Sequence, residues 1–144
     1  MAAIVPFATT GAFVIVRNAV AQANTGQTDW LLVPQWATFC TVHLNITATA
    51  GTTPGPSTLS IKSAMQVGID DTNAQTMSAG SAIAVNGGQV VDIGPGVTGI
   101  ADAGSATKVT VNAILPAILG LTLLLDRTNA DETYTYTLSA RFKP

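Results

Sequence analysis

The sequence predicts an all-β protein, a single antiparallel β-sandwich of the jelly-roll type with eight or nine strands. In several segments apolar and polar residues alternate with a period of two, as in strands with one buried face. Turn-forming residues separate these segments at intervals of about ten residues. No window shows a capped amphipathic helix. The 144 residues are enough for one domain with a core, so we predict one domain over 1–144.

The best-defined predicted element is a C-terminal hairpin over residues 119–142. Its second arm, 133–142, alternates between an apolar face with two tyrosines and a polar face rich in threonine. Its first arm, 119–125, is apolar on nearly both faces, which indicates a strand that is covered on both sides. The cover is either a second layer of this chain or a neighbouring subunit.

The same alternation predicts the upstream strands. They span 11–20, 30–33, 36–49, 58–67, 81–85, 89–93 and 107–113. We expect 36–49 to pair antiparallel with 58–67, across a Gly- and Pro-rich turn. We expect 81–85 and 89–93 to form a short hairpin around Asn-Gly-Gly.

Residues 1–10 form an apolar lead-in that is either an N-terminal docking arm or a first core strand. The arm interpretation gives four candidate partner-contact residues, Ile4, Val5, Pro6 and Phe7. The apolar segment that follows imitates a signal peptide. We do not expect one, because no basic residue precedes this segment and Arg17 interrupts it.

Composition excludes two classes of partner. Charged residues make up 10% of the chain, against roughly 25% in ordinary soluble domains. The net charge is −2, so no basic face is expected to bind nucleic acid. The most apolar run, 113–125, is shorter than the roughly 20 residues of a membrane-spanning helix. Low charge instead favours association with other protein subunits.

The single histidine, His43, and the single cysteine, Cys40, are predicted on opposite faces of the strand 36–49. A Cys–His catalytic pair is therefore not expected. We predict a surface or interface histidine and a buried, inert thiol. One cysteine cannot form an intramolecular disulfide.

The carboxylates do not predict a metal site or an active site. Asp70, Asp71, Asp92 and Asp102 fall in predicted loops without the spacing of a calcium loop. Glu132 is the one glutamate, and paired-carboxylate chemistry needs two carboxyls across a cleft. The glycine-rich segment 94–99 lacks the lysine and the helix of a phosphate loop. We assign no catalytic, cofactor-binding or metal-binding residue and expect no enzyme.

Four aromatic residues allow two interpretations. They are Trp30, Trp36, Tyr134 and Tyr136. Trp30 and Trp36 begin predicted strands, so they are expected as packing anchors. In a carbohydrate-binding module, exposed rings of this kind would instead form a platform for a sugar, and burial of all four would count against that role.

The layout of the chain resembles small virion proteins of tailed bacteriophages, especially capsid decoration, or cement, proteins. The segments that carry the resemblance are 23–30 (ANTGQTDW), 44–49 (LNITAT), 115–116 (LP), 121–125 and 133–140. The resemblance implies a jelly roll or related sandwich, homo-oligomers that are often trimers, and docking on the major capsid protein. It carries no functional residue over to this chain.

We therefore expect a non-enzymatic structural protein on the outer capsid surface of a virion. It would bridge major capsid protein subunits as a homotrimer, with no cofactor and with no nucleic-acid or membrane partner. The alternatives are a receptor- or glycan-binding domain of a phage tail or fibre, and a head–tail (neck) component.

Overall fold

The computed structural model describes residues 4–5, 13–22, 26–64, 74–84, 86–98, 106–125 and 129–144. In chain order, the strands of these residues are β1 (Ile4–Val5), β2 (Phe13–Gln22), β3 (Gln27–Leu32), β4 (Phe39–Ala50), β5 (Ser57–Ala64), β6 (Gln75–Ser78), β7 (Ala82–Ile83), β8 (Gly88–Gly94), β9 (Ala106–Asn112), β10 (Ile118–Leu125) and β11 (Thr133–Lys143). The described residues contain no helix.

The strands form two mostly antiparallel sheets, so the prediction of an all-β, sandwich-like protein is confirmed. The first sheet has the order β1-β3-β10-β5-β6, and β7 also pairs with β5. The second sheet has the order β2-β11-β4-β8-β9. The pairs β1–β3 and β8–β9 are parallel. The described residues hold more strands than the eight or nine predicted, partly because β1, β6 and β7 are only two to four residues long.

The prediction of a C-terminal hairpin is wrong. β10 pairs with β3 and β5 in the first sheet, whereas β11 pairs with β2 and β4 in the second. Both arms are strands, but they belong to different sheets. The predicted pairings of β4 with β5 and of β7 with β8 are wrong for the same reason, since the members of each pair lie in different sheets.

The inner faces of the two sheets share one cluster of buried side chains. β10 and β11 contribute Leu119, Leu121, Leu123, Leu125, Tyr134, Tyr136, Leu138, Ala140 and Phe142. Each of these residues is at most 3% exposed. The predicted apolar face of 133–142 is therefore confirmed as a core face. Large apolar side chains buried in this way each contribute about 1.5–3 kcal/mol to folding.

The outer face of β10 is partly covered by a tryptophan of the neighbouring strand. Trp30 lies opposite Gly120 and is 4% exposed. A Cβ atom at Gly120 would lie 2.5 Å from the indole ring, so only glycine leaves room for Trp30. Trp30, Ala64 and Ile118 form a second small buried cluster. Leu124, on the same face, is 49% exposed. The chain thus covers one part of this face and leaves another part open.

The connection 51–56 between β4 and β5 is tied to the turn that precedes β11. The amide of Thr53 donates a hydrogen bond to Glu132 Oε1 at 3.1 Å. The hydroxyl of Tyr134 donates to the carbonyl of Gly55 at 3.0 Å. Two crossings between the sheets therefore support each other at this end of the sandwich.

A disulfide tests the pairing of β10 with β5. Thr58 and Leu124 lie directly opposite each other on these strands, at a spacing that a disulfide can bridge. The double variant Thr58→Cys/Leu124→Cys should oxidise spontaneously and raise the free energy of unfolding by about 2–4 kcal/mol. The measurements are a free-thiol count and urea unfolding with and without reductant.

The single variant Leu124→Cys is the control and should show no dependence on reductant. Cys40 stays reduced in every variant. Three free thiols per chain in the folded double variant under oxidising conditions, instead of one, would therefore contradict the pairing.

Candidate functional site

Two of the four candidate partner-contact residues lie in a strand of the first sheet. Ile4 and Val5 form β1, which runs parallel to β3 beside Trp30 and Leu31. Pro6 and Phe7 lie outside the described residues. The backbone of Ile4 and Val5 is thus paired with the chain's own sheet edge. A role for this segment in partner contact stays a prediction.

The strand β4 places Cys40 and His43 on opposite faces, as predicted. Cys40 is 1% exposed on the core face. Burial raises the pKa of its thiol to about 12, so the thiol is protonated and unreactive at neutral pH. His43 is exposed on the outer face of the second sheet, opposite Ser139 and Val90.

The carboxylates that the structure describes lie at separate positions and do not form one site. Asp92 lies in β8, which confirms the predicted strand 89–93 and corrects the assignment of Asp92 to a loop. Its Oδ1 accepts the Thr41 hydroxyl at 2.6 Å. Glu132 is fully buried in the turn before β11. The other aspartates named above, Asp70, Asp71 and Asp102, lie outside the described residues. Across the described ranges, no three His, Cys, Asp or Glu side chains are placed to hold one metal ion.

The four aromatic residues do not form an exposed platform. Trp30, Tyr134 and Tyr136 are at most 4% exposed. Trp36 is partly buried and packs against the main core cluster. These rings are packing anchors, and their burial counts against a sugar platform built from them.

An ionic cluster that the sequence analysis missed joins the two sheets. Arg17 of β2 donates to Asp29 Oδ1 of β3 at 2.6 Å and to the Tyr136 hydroxyl at 3.0 Å. The arginine and aspartate side chains are 15% and 4% exposed. Asp29 faces the core because it lies opposite Leu121. Two opposite charges in neighbouring, otherwise neutral segments could have suggested this pair.

Burial is the largest cause of the pKa shifts in the acids of this cluster. It raises the pKa of the Asp29 carboxyl above its ordinary value, although the bond and the charge of Arg17 act in the opposite direction. Burial raises the pKa of Tyr136 in the same way. For Arg17, burial lowers the pKa, but the bonds to Asp29 and Tyr136 outweigh it and the net shift is upward. The bonds of Arg17 thus link the two sheets, while burial opposes the ionised form of Asp29.

An apolar surface lies along β2, at the edge of the second sheet as described. Phe13 is 60% exposed and Ile15 is 55% exposed. They lie on the outer face, opposite Arg141 and Ser139 of β11. We call Phe13 and Ile15 the β2 patch. An apolar edge strand that faces solvent is a common site for contact with another protein chain.

No helix within the described ranges has the length and hydropathy to cross a membrane. No protein-family model matches the chain, and neither the curated proteins nor the solved structures contain a match. A functional assignment therefore rests on the sequence and on the geometry described above.

The variant Arg17→Met should lower the free energy of unfolding by about 3 kcal/mol at neutral pH, because it leaves the Asp29 carboxylate buried without a cation. Urea unfolding at constant protein concentration measures the change. The double variant Arg17→Met/Asp29→Leu removes both charges of the pair and should recover most of the loss. A single variant that is as stable as the double one would contradict this role of the pair.

The loss in Arg17→Met should shrink as the pH falls. The pKa of Asp29 is raised in the folded chain above its ordinary value of 3.8. The folded chain therefore binds the proton more readily than the unfolded chain. Removal of Arg17, whose hydrogen bond and charge lower this pKa, raises it further, so the variant gains more stability on acidification than the unmodified chain. Stability is consequently gained as the pH falls through the folded pKa and lost as it rises. Urea unfolding between pH 7 and acid pH checks the sign.

Cys40 should make the fold less stable in alkali. Its pKa rises from 9.0 to about 12 on folding. The unfolded chain therefore loses the thiol proton first, and the free energy of unfolding falls as the pH rises above the unfolded pKa. Cys40→Ala should be less stable at neutral pH by about 1 kcal/mol, because it leaves a small gap in the core.

The stability of Cys40→Ala should nevertheless fall less steeply with alkaline pH. Tyr136 is present in both proteins, so the difference between the two slopes isolates the thiol. Equal slopes would contradict the burial of an un-ionised Cys40.

Proposed function

We propose that the protein is a non-enzymatic structural protein of a bacteriophage virion, located on the outer capsid surface. It docks on the shell and stabilises it by bridging major capsid protein subunits. The observation that carries this proposal is the β2 patch, two large apolar side chains more than half exposed at the edge of a sheet. Their burial in a contact would be favourable, and the low charge of the chain opposes association little.

We infer that the sandwich is a jelly roll, in which a long hairpin of eight strands folds on itself as two Greek keys. The antiparallel pairs β2–β11, β3–β10, β4–β8 and β5 with β6 and β7 support this. Eight strands remain when β6 and β7 are counted as one strand and the parallel strands β1 and β9 are left out. In this set the first strand pairs with the eighth, the second with the seventh, the third with the sixth and the fourth with the fifth. The jelly roll is used by viral capsid and lectin domains.

A fold of this kind does not define a function, so the proposed function has to be supported by the chemistry of the surfaces. Cys40 and His43, the one thiol and the one imidazole of the chain, lie on opposite faces of β4. Glu132 is held in a turn by Thr53. These placements favour a structural role over catalysis.

The proposed assembly is a homotrimer at a local threefold of the shell. Three copies would present three β2 patches to equivalent capsid subunits, so that weak contacts combine into avid binding. A protein that binds the assembled shell and not its separate subunits stabilises the shell by mass action.

The alternatives are a receptor- or glycan-binding domain of a tail or fibre and a neck component. A neck component would form a ring of a symmetry other than three, so the mass in solution separates it from the trimer. A glycan-binding role would need a surface other than the buried Trp30, Tyr134 and Tyr136.

Shell binding tests the proposal directly. The purified chain should sediment with capsids of the encoding virus that were prepared without it, and should raise the temperature at which they release their genome. The variant Phe13→Thr/Ile15→Thr has a β-branched residue at both positions and should fold. Its binding should weaken by at least about tenfold, because two apolar contacts are lost.

Leu124→Thr is the matched control, since Leu124 is 49% exposed on the other sheet and lies outside the patch. It should bind like the unmodified chain. A folded, unmodified chain that does not bind these shells, or a Leu124→Thr variant that loses as much binding as the double variant, would sink the proposal.

A further inference from the structure

A cleft of about 310 Å³ opens where β4 begins and where β8 and β11 end. The loop 95–98 forms one of its walls. Its lining includes Phe39, Thr41, Asp92, Val97, Thr98 and Lys143. Thr41 lies between Arg141 and Asp92 in adjacent strands, on the outer face of the second sheet. The volume is at the lower end of the roughly 300–1,000 Å³ typical of small-molecule sites.

The cleft contains one carboxylate and one ammonium group. Asp92 Oδ1 accepts the Thr41 hydroxyl at 2.6 Å, which fixes the carboxylate. Lys143 is exposed at the end of β11. The ion pair that the described residues form is Arg17–Asp29, so Asp92 and Lys143 are not paired with each other. A ligand in this cleft meets a strong acceptor in Asp92 and a strong donor in Lys143.

Phe39 and Val97 supply the apolar part of the cleft lining, and Phe39 is the strand neighbour of Lys143. A side chain at Gly94 would collide with the Phe39 ring, so the glycine leaves room for that ring to pack against β8. Val97 adds an aliphatic surface, and the amide of Gly96 donates to Asn112 Oδ1 at 2.8 Å, which anchors the loop 95–98. The cleft thus has an apolar wall that is held in place.

We propose that this cleft binds a neutral pyranose sugar. One face of a pyranose is made of C–H groups and suits the wall of Phe39 and Val97. Its hydroxyls both donate and accept, so neighbouring hydroxyls donate to the Asp92 carboxylate and accept from the Lys143 ammonium. A pyranose satisfies both groups by hydrogen bonds and brings no charge of its own. The binding activity belongs to the isolated chain and does not depend on shell docking.

Titration of the ¹⁵N-labelled chain, followed by amide chemical shifts, tests the proposal. The probes are the methyl α-glycosides of glucose, galactose and mannose, with alanine as a zwitterionic comparison. At least one glycoside should shift the amides of Thr41, Asp92 and Gly96, with a dissociation constant of about 1 mM. Alanine should leave them unchanged.

Asp92→Asn should weaken sugar binding about tenfold, because it removes a charge-assisted hydrogen bond. Lys143→Met keeps the aliphatic part of this exposed side chain but removes the ammonium group, and it should also weaken sugar binding. Asp131→Asn is the matched control, since Asp131 is an exposed carboxylate in the turn before β11, bonded to Thr52. It should bind sugar normally.

The amide spectrum of each variant shows whether it is folded. Three results would overturn the proposal: no shifts in the cleft with any glycoside, binding of alanine in place of sugar, or equal effects of Asp92→Asn and Asp131→Asn. Shell binding is measured separately with capsids, so the failure of one activity is distinguishable from the failure of the other.

Discussion

The structure depends on the burial of two sheet faces in one core. A strand with one apolar face needs a second sheet to cover that face, and here the strands closest in sequence supply the cover. β10 and β11 occupy interior positions in opposite sheets, and their apolar faces belong to the same cluster. Most pairs of consecutive described strands therefore lie in different sheets. The bonds from Thr53 to Glu132 and from Tyr134 to Gly55 tie two of these crossings together.

The same constraint determines how the chain accommodates its charges. Position 29 faces the core because its strand neighbour Leu121 does. A carboxylate there is tolerated because Arg17 reaches it from the opposite sheet. The pair lies between β2 and β3, so one ion pair links strands that do not pair with each other. With 10% charged residues in the chain, such a pair also leaves the outer surface nearly neutral.

Alternation in the sequence was enough to predict most strands and the buried face of the longest ones. It correctly separated Cys40 from His43 and the tyrosines from the threonines of β11. Alternation shows which face of a strand is apolar. It does not show whether two consecutive strands belong to the same sheet or to opposite sheets. All three predicted local pairings failed on that point.

The remaining features depend on contacts that are distant in sequence. Arg17 and Tyr136 are 119 residues apart, and no local pattern joins them. Gly120 indicated a distant contact more clearly than Arg17 did, because a glycine inside an apolar strand often marks a close approach by another group. The group here is the ring of Trp30. The cleft likewise assembles from strand ends of β4, β8 and β11, which are distant in sequence, so its lining could not be predicted from spacing.

The β2 patch and the cleft lie on the same outer face. Phe13, Arg141, Thr41 and Asp92 form one row across four adjacent strands. Three strand spacings separate Phe13 from Asp92, or about 14 Å. A standard interface buries roughly 800 Å² per partner, and a circular one of that area has a radius of about 16 Å. A contact centred on Phe13 would therefore reach Asp92, so docking on a shell and sugar binding are expected to exclude each other on the same copy. A smaller contact, confined to the free side of β2, would leave the cleft open on the docked protein.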